Sequence, residues 1–134
     1  MSEIVASAGT LREAFVQAGL AVFAIATDPA GVEPREVREV RAHGASLEAL
    51  LAGWVGECCY VHEIEGFVCH AIDLDAFEVE PRAGGEPLRL HAFLHGEEAD
   101  AARHRSISIA PSGLPSIRST GNGYELRLPM KTVM

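Results

Sequence analysis

Read at 100° per residue, the stretch from Ser46 to Val61 gathers Leu47, Leu50, Leu51, Trp54, Cys58 and Val61 onto one stripe. This pattern predicts a helix laid on a sheet, and the chain is organised around it. Its other face is made of small residues: Ala49, Ala52, Gly53, Gly56 and Cys59. A water-facing helix would carry Lys, Glu or Arg there, and each interior Gly costs roughly 1 kcal/mol against Ala. Small residues admit close approach of another backbone, so a second helix is expected against this face. Thr10 to Thr27 predicts that helix. Thr10 and Glu13 make a T-x-x-E capping box, and Leu11, Ala14, Phe15, Ala18, Val22 and Ile25 form a core stripe. A second strip, Val16, Leu20 and Phe23, is expected to meet the small face of Ser46–Val61. The rival is an exposed partner surface, such as a homodimer contact.

The remaining pattern is β. Ile4 and Val5 suggest a short first strand. Asp28-Pro29-Ala30-Gly31 stops the first helix, because Pro29 disfavours helical geometry before it. Arg35 to Ala42 alternates charge with Val37 and Val40 and reads as a strand or edge strand. Gly44 then turns the chain into the central helix, with Ser46 as N-cap. Beyond Gly66, Phe67 to Glu80 reads as one long strand or two broken by a bulge, and Gly84-Gly85 as a turn. Leu88 to His95 has a clear period of two, Glu97 to His104 an acidic, loop-like composition, and Ser106 to Ile109 alternates again. Gly121-Asn122-Gly123 predicts a hairpin through a type I′ turn. The final strand is expected to stop or lie at an edge at Pro129, which cannot donate to a ladder. The fold class is α+β: two packed helices covering an antiparallel or mixed sheet, in one domain over 1–134.

Charge and composition narrow the function. At 134 residues the chain suffices for a single core, and its net charge of −8 argues against unaided nucleic-acid binding. A basic protein partner suits it better. Cys58, Cys59 and Cys69 have neither a disulfide-framework nor a zinc spacing and read as buried thiols of a reducing cytoplasm. The longest apolar run, Ala18 to Ala26, is too short to cross a bilayer.

Three ordered features carry a resemblance: Thr10-Leu11-x-Glu13, Thr27-Asp28 with Val32-Glu33-Pro34, and Ser46-Leu47-Glu48 running to Trp54, Glu57 and Tyr60. Together they resemble the archease family, well over about half the chain and in element order over the rest. The resemblance implies an archease-like fold and a non-enzymatic helper of the RtcB-type tRNA ligase, which promotes guanylylation and turnover of that enzyme. It also implies a divalent metal such as calcium near acidic residues. Ser2-Glu3-Ile4 matches the family's A-D-I with Glu for Asp, making Glu3 the metal-ligand candidate. The preceding His and Thr of the family motif are missing, Ser106 to Pro111 lacks the family's Lys, and Lys131 stands where the family ends on an acidic strand.

Other chemistry is weaker. His91 and His95 share a strand face about 13 Å apart at strand rise, too far for one ion, and His70 is expected to point away from Cys69. A thiol inside a helix lacks the electropositive setting of a nucleophile. Asp73 and Asp75 read as a solvated strand face. Three readings follow: a ligase helper with a remodelled acidic site, a catalytically silent archease-fold interaction module, and a histidine-based enzyme or metal carrier.

Overall fold

A computed structural model describes residues 2–28, 31–80, 84–100 and 107–132. In chain order the elements are β1 (Ser2–Ala8), α1 (Leu11–Ala26), β2 (Glu36–Gly44), α2 (Leu47–Glu65), β3 (Phe67–Glu78), β4 (Leu88–Glu98), β5 (Ile109–Pro111), β6 (Ser116–Thr120) and β7 (Gly123–Thr132). The strands form two antiparallel sheets. In one, β7 is central, with β1 on one side and β5 and β6 on the other; the second runs β2-β4-β3. The α+β reading holds, with β2 at an edge. Both helices pack on the sheets and on each other, and one hydrophobic cluster joins every layer.

The helix starts follow the caps. Thr10 Oγ1 accepts the Glu13 N–H at 3.1 Å and Ser46 Oγ accepts the Ala49 N–H at 3.1 Å. The Glu13 carboxylate accepts from Gln17 Nε2 one turn on. Gly66 ends α2 in the left-handed region at φ 63°, a conformation that costs a side-chain-bearing residue more. Pro29 and Ala30, expected to stop α1, lie outside the described residues, as do 81–83 and 101–106; α1 itself ends at Ala26.

The helix pair forms, but not through the small face. Trp54 is fully buried and seats its indole on Gly19 of α1, where an added Cβ would stand 2.6 Å from the ring. Its Nε1–H donates to Phe15 O at 2.8 Å. The tight approach therefore lies on α1, and a large residue of α2 fills it. Of the small face, Gly53 meets a strand: its Cβ would lie 3.3 Å from His43 O of β2. Gly56 has open space beside it. The strip on α1 divides as well. Phe23 enters the core and meets His62 of α2 edge-on at 6.2 Å, whereas Leu20 borders a cleft with β1 and β3. Phe23 is buried, and Val16 and Leu20 are half-buried.

Three strand readings change. Glu97 and Glu98 end β4 instead of opening a loop. Gly121 and Asn122 do join β6 to β7, but neither takes a positive φ, so the turn is not type I′. Strand β7 runs through Pro129 at the centre of its sheet. Along one side of β7, β6 pairs as far as Arg127 and β5 from Met130, so Pro129 faces the break between them. Its carbonyl accepts the Ser112 N–H there at 2.9 Å, and its ring packs on Gly113. The missing N–H falls where no ladder needs one. The expected bulge in β3 is present, with register shifts at Cys69/Ala71 and Leu74/Ala76.

Candidate functional site

Glu3, the metal-ligand candidate, lies on the outward face of the four-stranded sheet. Strand alternation turns Ile4 and Ala6 inward and leaves Glu3, Val5 and Ser7 in solvent. On β7, Leu126, Leu128 and Met130 are buried, which leaves Glu125 and Arg127 to the outward face. Arg127 Nη1 donates to Glu3 Oε1 at 3.0 Å and its Nε to Glu125 Oε1 at 3.0 Å. Arg118 of β6 adds a bond to the same Glu125 oxygen at 2.9 Å. The charges thus alternate Glu3, Arg127, Glu125, Arg118 across three strands. The hydrogen bond from Arg127 holds the Glu125 carboxyl below its ordinary value, with Arg118 acting in the same direction. Glu125 and Glu3 in turn raise Arg127.

This face does not fit a hard cation. Such an ion takes six to eight oxygen ligands, and Glu3 offers one carboxylate already held by a guanidinium. Among the described residues, no group of three or more His, Cys, Asp or Glu side chains could hold a metal ion. Lys131 is exposed on β7.

The histidines do not converge either. His91 Nδ1 faces Asp75 of β3 at 3.2 Å, while Nε2 lies 3.5 Å from Glu39 of β2, so the ring links three strands. Asp73 and Asp75 are exposed, and His70 is exposed beside a buried Cys69. All three thiols are free and buried. Burial pushes Cys59 up to about 11 and Cys69 to about 12, and raises Cys58 well above its ordinary value. At neutral pH they are protonated, the wrong state for nucleophilic attack.

Two buried polar groups escaped the sequence reading. Glu97 accepts the Glu33 N–H at 2.7 Å, which pins the Val32-Glu33-Pro34 link to the end of β4. His62, buried near the C-terminal end of α2, places Nδ1 3.1 Å from Phe67 O and Nε2 3.3 Å from Ile107 O. It ties the helix end to β3 and to the approach of β5. No local signal marks Glu97, which is out of phase with the inward set Leu90, Ala92 and Leu94, and its burial follows from the distant Glu33 link. His62 follows Val61 at the margin of the α2 stripe, and only its partners' distant carbonyls explain its burial.

Comparison with known proteins agrees with this architecture. The model of the Archease protein family (MTH1598/TM1083) matches residues 2–110. Over 95 residues the chain is 35% identical to "Protein archease" of Pyrococcus abyssi, covering 71% of this chain and 63% of that protein. The chain thus spans a little under two thirds of that relative's length. It is 39% identical over 121 residues to "Protein archease" of Sulfurisphaera tokodaii, covering 87% and 81% of the two chains. The solution structure of Methanobacterium thermoautotrophicum protein 1598 superposes with a TM-score of 0.67 at 21% identity, over 89% of this chain and 82% of that one, a likeness of fold. With its family match over most of its length and the helix pair and strands in place, this chain belongs to the Archease family.

Proposed function

We propose that the chain is a non-enzymatic accessory protein of an RtcB-type RNA ligase, promoting guanylylation and turnover of that enzyme in tRNA splicing or RNA repair. The carrying observation is the family match over residues 2–110. A net charge of −8 suits a basic protein partner over unaided RNA. The protonated thiols suit a helper, and three free cysteines suit a reducing cytoplasm. Among the described residues no helix is long and apolar enough to cross a membrane. No step is assigned to a metal at Glu3, whose carboxylate Arg127 holds.

The test adds the purified chain to an RtcB-type ligase with GTP and a divalent metal, measuring guanylylated ligase by intact mass and the number of RNA joints per enzyme. A rise in both is expected. Unchanged guanylylation and turnover would overturn the helper reading. The Glu3–Arg127 pair favours one alternative, an archease-fold interaction module without a metal site. That module would bind the ligase in sedimentation while leaving its turnover unchanged.

A further inference from the structure

The outward face of the three-stranded sheet holds an open concavity of about 390 Å³, lined by Arg41 and His43 of β2, Arg89 and His91 of β4, Ala76 and Pro87. Arg41 stands opposite His91 in the ladder, and His43 opposite Arg89. Four basic side chains therefore form a two-by-two block on a chain of net charge −8. Arg41 and Arg89 are diagonal neighbours in this ladder, about 7–8 Å apart, near enough for one small anion to meet both guanidiniums.

Carboxylates stand at the margins of the block. Glu39 Oε1 is 3.1 Å from Arg41 Nη2, Glu78 Oε2 is 3.5 Å from Arg89 Nε, and Asp75 Oδ2 is 3.2 Å from His91 Nδ1. Both arginine pairs are largely in solvent, where such pairs are weak and leave most of the five guanidinium donors free to turn. His91 Nε2 makes no hydrogen bond but lies 3.5 Å from Glu39 Oε1, so both ring nitrogens of His91 face carboxylates, while His43 is exposed.

We propose that this concavity binds a phosphate group, free or carried by a small molecule, with Arg41 and Arg89 as charged donors and His43 as a ring N–H donor. Phosphate offers several acceptor oxygens that match guanidinium forks. The size suits a small ligand. Glu39, Asp75 and Glu78 repel an extended polyanion such as an RNA backbone, so the ligand is a small one. This site is independent of the ligase reading.

The test is titration of the isotope-labelled chain with inorganic phosphate and, separately, guanosine 5′-monophosphate, followed by amide chemical shifts and melting temperature. Saturable shifts confined to the four basic positions and their neighbours are expected, together with a rise in melting temperature. The double variant Arg41→Ser/Arg89→Ser should bind at least about tenfold more weakly. His43→Gln, which touches neither arginine ion pair, should weaken binding less. Tighter binding of the nucleotide identifies a phosphoester ligand, and equal binding identifies free phosphate; either supports the site. No saturable shifts with either probe, or shifts undiminished in the double variant, would overturn it.

Discussion

On the four-stranded sheet, Glu3, Arg127, Glu125 and Arg118 alternate in sign, each joined to the next at 3.0 Å or less. On the three-stranded sheet, Arg41 stands opposite His91 and His43 opposite Arg89, with the carboxylates displaced to the margins. The two faces rest on one core and both carry Arg and Glu, to which the second adds His43 and His91. Placement differs as well. A face whose neighbours cancel in pairs has its donors and acceptors spent internally, whereas a face whose bases adjoin keeps donors for something else.

Separating the faces physically is the strongest way to break this comparison. A Cβ at Gly96 would stand 1.9 Å from Val68 O, between β4 and β3, and one at Gly123 would stand 2.1 Å from Ala8 O, between β7 and β1. Gly96→Ala and Gly123→Ala should each cost about 1–3 kcal/mol in urea unfolding, because backbone must move. Amide shifts should concentrate in the three-stranded sheet for the first and in the four-stranded sheet for the second. Shifts spread equally over both sheets would mean that the faces do not respond separately.

A smaller effect follows from Arg127. The wild-type melting temperature should not respond to calcium, because the guanidinium already neutralises Glu3 and Glu125. In Arg127→Ala the Glu3 carboxylate is freed and Glu125 keeps only Arg118, and calcium should raise the melting temperature with a weak, about millimolar, dissociation constant. A wild-type response, or an indifferent variant, would show that Arg127 does not fill the place of a cation.

The smallest effect is on acid stability. The Glu125 carboxyl is held below its ordinary value of 4.5. Its contribution is therefore full above that pH and is lost as pH falls through the lower folded value. Urea midpoints measured down the acid limb should fall less steeply in Glu125→Gln. An unchanged slope would uncouple the ladder from folding.

Much of this architecture could be read before any coordinates, for reasons that are local. Thr10 and Ser46 announce helix starts because a side-chain oxygen answers N–H groups three residues away, and the alternation from Leu88 to His95 reports its own strand. The misreadings concern partners distant in sequence. The small face of α2 implied close approach, which is right at Gly53, but whether a helix or a strand approaches depends on where β2 lies. Pro129 forbids one ladder bond; only the break between β5 and β6 shows that none is required there. Glu3 was found as a surface carboxylate, yet its pairing with Arg127 spans almost the whole chain. The block around Arg41 and Arg89 stayed invisible because neither strand alone is strongly basic, and the register of β2 on β4 assembles it.

Trp54 is the sole tryptophan of the chain, and it sits sealed in the seam where α2 meets Gly19. Its indole is thus an optical gauge wired to the helix contact and to neither outward surface. Blue-shifted, quencher-resistant emission will certify that a surface variant has kept its interior, so that any change in its ligands can be assigned to the surface alone.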